Sequence, residues 1–268
     1  DRTLNVIGSG FQHTRYFTAM EQQVVSIIQG TPPDQRARYI VDTGCGDGTL
    51  LCMLYKAVQG ALGSEGELPL MMVGVDYNTD SIVATSKNCE SQGVPLTAVQ
   101  GDIGNPAAIV VDLRAAGIDT ATSPTLHVRT FLDHDRPYVA PAQVPKSTDG
   151  ARCPGVYVKP EDGSVLTLAL VMRSLIEHFE RWAACVGKHG LLVLEVSNLD
   201  CVTTREYMHE AVHLRNTENR AKLLAKLSPA MQGEVSLLVN QRWVSKIWYL
   251  ASGSQLELLI DIASRLKP

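Results

Sequence analysis

Apolar positions along this chain switch between two periods. Short β-prone runs at Arg38 to Val41, Leu70 to Asp76, Leu96 to Asp102, Thr125 to Phe131 and Gly190 to Asp200 alternate with longer stretches whose apolar residues fall three or four apart. Those stretches predict helices over Thr49 to Leu62, Ser81 to Gly93, Ala107 to Gly117 and Leu166 to Val186, with Asp80 or Ser81 capping the second. Strands alternating with helices predict an α/β fold: a mostly parallel sheet covered on both faces.

The two ends depart from that rhythm. "NVIGSG" reads as a glycine-containing loop leading into an amphipathic helix, on which Phe17, Met20, Val24, Ile27 and Ile28 share a face and which Pro32 and Pro33 close. The expected organisation is a small N-terminal lid, 1–33, on a core, 34–268. Inside the core, 136–163 is rich in Pro and Gly without a period and reads as a long functional loop. Residues 201–229 read as a helical insertion. The β-prone run from Glu234 to Ser252 fits an antiparallel hairpin at the sheet edge, and a last helix follows.

Composition narrows the function classes. With 268 residues and 45% apolar content, the chain can bury one large core. A net charge of −4 supplies no basic footprint, which speaks against nucleic acid as a partner. No apolar run approaches the roughly 20 residues of a membrane span, so no membrane partner is expected. The six cysteines show no CxxC and lie mostly in apolar segments, as reduced thiols of a cytoplasmic protein would. The chain begins at Asp1 without a basic-then-apolar leader, as an excised piece of a longer polypeptide would.

The chemistry gathers at the carboxyl ends of the first three core strands, where open α/β sheets bind ligands. "VDTGCGDGTLL" places Gly44, Gly46 and Gly48 in a turn, with Asp42 before it and Asp47 inside it. Glycines let the backbone approach a ligand closely. Two carboxylates would repel a pyrophosphate and attract an ammonium or sulfonium, which speaks against NAD. "VGVDYN" puts Asp76 at the end of the second strand, where an acid accepts ribose hydroxyls, with Tyr77 beside it. "QGDIGNP" puts Asp102 at the end of the third, placed to accept an adenine amino group, with Ile103 against the ring.

Together these three motifs resemble those of class I S-adenosylmethionine-dependent methyltransferases. The resemblance covers about Arg38 to Asp200. It implies a Rossmann-like fold with a mostly parallel seven-stranded sheet, and S-adenosylmethionine as cofactor with S-adenosylhomocysteine as product. The glycine turn would hold the methionine end, Asp76 the ribose and Asp102 the adenine.

Methyl transfer requires a positioned nucleophile and, for oxygen or carbon of high pKa, a base. The place to look is just after the fourth strand, where "HVRTFLDHDRPY" sets His134 between Asp133 and Asp135. Carboxylates on both sides would stabilise and orient its imidazolium. Glu195, an acid amid apolar residues at the end of the fifth strand, is the second catalytic candidate. The pair is similar to the His/Glu dyad of C-methyltransferase domains embedded in polyketide synthases. "GSGFQHTRYF", "LHVRTFLDHDRPY" and "GKHGLLVLEV" further resemble the apratoxin-type loading-module methyltransferases of bacterial synthases. That resemblance implies proton removal from the α-carbon of an acyl thioester, with an acyl carrier protein and neighbouring synthase domains as partners. An O-methyltransferase using the same His134 on a hydroxyl is the alternative, and a degenerate structural domain a third reading. Some relatives use a mononuclear metal, but the tail here offers "WVSKIWYLASGSQ" where a histidine-containing stretch is expected, and no metal ligand is assigned. His209 and His213 share a helix face without a third ligand. Tyr16 is a candidate for covering the cofactor, and Arg129 could reach its pocket, with His127 a satisfied core residue.

Overall fold

In the computed structural model, which describes residues 2–63, 68–133, 136–143, 157–159, 161–187, 189–197 and 244–250, the core strands are β1 (Tyr39–Thr43), β2 (Met71–Asp76), β3 (Leu96–Gln100), β4 (Thr125–Thr130), β7 (Leu191–Ser197) and β8 (Val244–Leu250). They form one sheet in the order β3-β2-β1-β4-β7-β8. The first five run parallel, and β8 closes the edge antiparallel to β7. Reversal of strand order around β1 creates the crevice in which ligands of open α/β sheets bind. The expected edge strand is therefore present in β8. Its hairpin partner, the seventh strand and the 201–229 insertion fall outside the described residues.

Helices α2 (Thr49–Leu62), α3 (Thr79–Ser91), α4 (Pro106–Ala115) and α5 (Leu168–Ala183) fill the connections. One face of the sheet carries Ile40, Met72, Leu126 and Val128 against Leu51, Leu54 and Val58 of α2. The other carries Val41, Val73 and Val75 against Ile109 and Leu113 of α4 and Trp182 of α5. Parallel strands buried on both faces read as continuous apolar runs, which is why "YIVDT" and "MMVGVD" show no alternation. Between α2 and α3 the buried Sγ atoms of Cys52 and Cys89 lie 3.6 Å apart, both as free thiols.

Several local expectations change. The N-terminal segment is one helix, α1 (Arg2–Gly30), with no loop at "NVIGSG". Phe17, Met20, Val24 and Ile28 bury against α2 as the pattern predicts. Once that stretch is anchored, extending the helix upstream costs far less than nucleating one, even through Gly8 and Gly10. The cap of α3 is Asn78, whose side chain accepts from the Asp80 amide, rather than Asp80 or Ser81. Helix α5 is two to three residues shorter at each end than its pattern: Leu166 enters a small hairpin of β5 (Tyr157–Val158) with β6 (Val165–Leu166), and Thr167 caps the helix. That hairpin lies at the end of the segment read as an irregular loop.

The entry to α2 depends on a left-handed residue. Gly48 has φ +77°, and a Cβ there would stand 2.9 Å from Thr85 Cγ2 and 3.2 Å from Thr85 Cα. Gly48→Ala is expected to lower unfolding stability by roughly 2–3 kcal/mol, from the left-handed penalty plus the contact with α3. Urea unfolding with an unchanged slope would measure it; a midpoint equal to that of the parent would show that the turn relaxes.

Candidate active site

The turn after β1 is stitched to β2 before any ligand is considered. The Gly44 and Cys45 amides donate to the Val75 carbonyl at 2.7 and 3.1 Å. Gly44, Gly46 and Gly48 all have positive φ, a conformation that only glycine adopts without strain. Asp76 closes the turn from the next strand: Oδ2 accepts the Gly46 amide at 3.0 Å, and Oδ1 accepts the Asn78 amide at 2.8 Å. From α3, the Thr85 hydroxyl donates to the Gly46 carbonyl at 3.0 Å and Asn88 Nδ2 to the Asp47 carbonyl at 2.9 Å.

The two acids of the turn have different jobs. Asp47 accepts the Thr49 amide at 3.0 Å and so steadies the start of α2. Asp42 is 1% exposed, and its Oδ1 has no hydrogen-bond partner among the described residues. Burial, followed by repulsion from Asp76, pushes its pKa from 3.8 up to about 8. A buried, unpaired carboxyl oxygen beside a glycine cradle fits a ligand that brings positive charge, as the ammonium and sulfonium of S-adenosylmethionine do. Cys45, buried beside Asp42, is held as a neutral thiol by burial first and by that carboxyl second.

At the end of β3, Asp102 accepts the Gly104 amide at 2.7 Å. Ile103 packs at the edge of the core formed with α4 and α5, 7% exposed, and its carbonyl accepts the Trp182 indole N–H at 2.9 Å. Tyr77 is 70% exposed. Tyr16, half-buried on α1, meets the ring of Phe131 edge-on with centroids 5.7 Å apart. Phe131, the residue after β4, is in the left-handed region at φ +54°, and Leu132 follows it onto the turn: a Cβ on Gly44 would stand 2.7 Å from Leu132 Cδ2. The structure thus brings Asp42, Gly44, Gly46 and Asp76 together around one turn, with Tyr16, Phe131 and Leu132 on the β4 side.

Arg129 does not join them. Its guanidinium is fully buried in the α5 layer, 4.6 Å from the Trp182 ring and 5.6 Å from that of Phe179, with Nε 2.9 Å from Asp133 Oδ2. Alternation along β4 explains this: Val128 faces the α2 side, so Arg129 faces α5. His127 points the same way, edge-on to Trp182 at 6.1 Å. Among the described residues neither of its ring nitrogens has a hydrogen-bond partner, so within them it is a core residue but not a satisfied one. Burial, then Arg129, brings its pKa down to about 4, and the ring is neutral.

The surroundings expected of His134 also change. Asp133 is turned inward, its second oxygen 3.0 Å from His178 Nε2. Burial alone would raise Asp133, yet Arg129 and His178 hold it below the ordinary carboxylate range. It is therefore committed to two core partners instead of standing free beside His134. His134 and Asp135 lie outside the described residues. Glu195 is on β7, in register with Lys246 of β8 and one residue past the last β4–β7 pair, Thr130 with Leu194. Sequence reasoning named Asp133 only as a flank of His134 and missed its partners Arg129 and His178, and Ser174; the available signal was two polar residues one turn apart on the inner face of a strongly amphipathic helix. Among the described residues no three His, Cys, Asp or Glu side chains could hold a metal ion. None of the described helices is long and apolar enough to cross a membrane.

Residues 1–220 match the family model described as "AprA MT2-like domain". No curated protein matches the chain. Solved structures similar to it include an O-methyltransferase family protein from Burkholderia thailandensis (12% identity, 93% of this chain and 53% of that one, TM-score 0.37). Others are the DszA carbon methyltransferase (12%, 69% and 36%, 0.40) and a putative sarcosine dimethylglycine methyltransferase from Galdieria sulphuraria (8%, 87% and 85%, 0.40). The chain spans little more than half of the first and about a third of the second, and such TM-scores say nothing about substrate or mechanism. The family match, covering most of the chain, is decisive: this protein belongs to the AprA MT2-like family and is an S-adenosylmethionine-dependent methyltransferase domain.

Proposed function

We propose that this domain methylates the α-carbon of an acyl thioester carried on an acyl carrier protein, as one part of a cytoplasmic polyketide synthase. The observation that carries the reading is the packing of Leu132 against Gly44, which lays the segment leading into His134 on the turn assigned to the cofactor's reactive end. The free thiols at Cys45, Cys52, Cys89 and Cys185 suit a reducing compartment.

When bound, S-adenosylmethionine supplies an already activated methyl group. Asp42 attracts the positive charge at its methionine end, and Gly44 and Gly46 let the backbone come close. Asp76 accepts the ribose hydroxyls through its remaining lone pairs, with Tyr77 beside it. Asp102 accepts the adenine amino group and Ile103 backs the ring. Tyr16, braced by Phe131, covers the open side. Arg129 supports the pocket from beneath, through Asp133. His134 takes the α-proton of the thioester onto its imidazole, and Glu195 stabilises the imidazolium that results.

The test is incubation with S-adenosylmethionine and carrier-bound malonyl, methylmalonyl and β-ketoacyl thioesters, read by intact-protein mass spectrometry. One added methyl on the carrier is the expected result, together with His134-dependent exchange of the α-proton in deuterated solvent. His134→Ala is expected to keep cofactor affinity and lose at least about a hundredfold in turnover. Bound cofactor with no gain on any carrier would sink the carbon-methylation reading and leave a hydroxyl substrate.

A further inference from the structure

Helix α5 grips the chain leaving β4 at three successive places. His178 Nε2 lies 3.0 Å from Asp133 Oδ1, in a pocket where the two side chains are 1% and 6% exposed. One turn earlier, the Ser174 hydroxyl accepts from Arg136 Nη1 at 3.3 Å. Between them in sequence, the Glu177 carboxylate accepts the backbone amides of Ala142 and Gln143 at 2.9 and 3.2 Å, and Arg173 Nε donates to it at 3.0 Å. Ser174, Glu177 and His178 stand at i, i+3 and i+4, so one helix face makes all three contacts. Arg129 completes the grip on Asp133 from the strand below.

This grip has a strained object. Phe131 at φ +54° is the one non-glycine residue with positive φ among those described, and such a backbone persists only where its surroundings fix it. Tyr16 and Phe17 press on its ring at 5.7 and 6.3 Å, its amide donates to the Leu194 carbonyl, and the Asp133 clamp follows two residues later. The bend lays Leu132 on Gly44.

We propose that Asp133, held by Arg129 and His178 on the α5 face, is a positioning residue for methyl transfer: it sets the bend at Phe131 and Leu132 over the glycine turn, immediately before the assigned base in the sequence. The inference rests on the assignment of His134 as base. Asp133 touches neither cofactor nor substrate. A displacement of about 1 Å at such a point costs about a hundredfold in rate while leaving binding intact.

The experiment measures kcat and KM with malonyl and methylmalonyl thioesters of pantetheine as probes, and cofactor Kd by calorimetry. The variants are Asp133→Asn and Glu177→Gln, each alone and combined with His134→Ala. Asp133→Asn is expected to lower kcat by about a hundredfold and Glu177→Gln by about fivefold, with cofactor Kd within twofold of the parent. Neither should cost anything further in the His134→Ala background. Losses that multiply in the double variants, or a Kd that weakens in step with kcat, would overturn the positioning role, as would an unchanged kcat. If Asp133→Asn does not fold, His178→Gln, which removes one partner of Asp133 and leaves Arg129, carries the test in its place. Failure of the base assignment is read separately, as full turnover by His134→Ala. A parent inactive on both probes and on the carrier-bound malonyl, methylmalonyl and β-ketoacyl thioesters alike overturns the thioester reading and this inference with it.

Discussion

Replacing Asp42 with Asn is expected to make the protein more stable, by an amount that grows with pH, while removing its preference for a cationic cofactor. The Asp42 carboxyl is buried at the crevice, and its pKa is raised from 3.8 to about 8, by burial first and Asp76 second. Between those values the native state holds a proton that the unfolded chain has released, so stability falls as pH rises across the window. Below pH 4 the two proteins should unfold alike. By pH 8 the Asn variant should lead by roughly 5 kcal/mol, at about 1.4 kcal/mol per pH unit, or on the order of 10 °C in Tm. Binding should show the opposite face of the same linkage. Cofactor charge draws Asp42 into its ionised form and expels the proton, so affinity for S-adenosylmethionine should tighten up to about tenfold per unit as pH rises toward 8. In the Asn variant that slope should vanish and affinity fall. Thermal scans and calorimetry from pH 4 to 9 measure both; superimposable stability curves would mean that Asp42 is ionised throughout.

Asp76→Ala should abolish measurable cofactor binding at micromolar concentrations, a loss of at least about a hundredfold. Two effects add. The proposed ribose seat disappears, and each charge-assisted bond to a hydroxyl is worth about 1.5–3 kcal/mol. The Gly46 and Asn78 amides also lose their acceptor, so the turn is no longer fixed from the β2 side. Asn does not rescue this arrangement well, because its amide nitrogen must face one of the two donors. The same substitution removes the repulsion that helps raise Asp42, and the stability window of Asp42 should narrow from its alkaline side. The two sites are therefore expected to be non-additive in a double-mutant cycle. Unaltered cofactor affinity in Asp76→Ala would refute the ribose assignment.

Much of this site was legible in the sequence because its signals are local. Glycines at Gly44, Gly46 and Gly48 and acids at Asp42, Asp76 and Asp102 each follow a β-prone run, and the fold brings strand ends together by topology alone. Direction was not legible. Spacing could not separate Asp42, buried before the glycine turn with an oxygen that no described residue pairs, from Asp47, which steadies a helix start. Alternation in β4 told that His127 and Arg129 share a face, but not that the layer above would be Trp182, Phe179 and His178, some fifty residues on. Asp133 looked like a partner for its neighbour because sequence shows adjacency; the side chain instead turns into the core toward a helix 45 residues away. The glycine-containing N-terminus was misread as a loop because intrinsic propensity was visible and the packing that overrides it was not.

The position of β1 in the sheet also has a consequence during synthesis. It pairs with β2 on one side and with β4 on the other, and β4 begins 82 residues after Thr43, at Thr125. Until that length has left the ribosome, the centre of the finished sheet is an open edge. Its apolar, unalternating strand would template pairing with any other extended chain nearby. Helices α1, α2 and α3 can cover one face in the interval, so the nascent half-domain has a partly built shelter. Its exposed strand stays a hazard until β4 arrives, and the vulnerable period is set by translation rate more than by final stability.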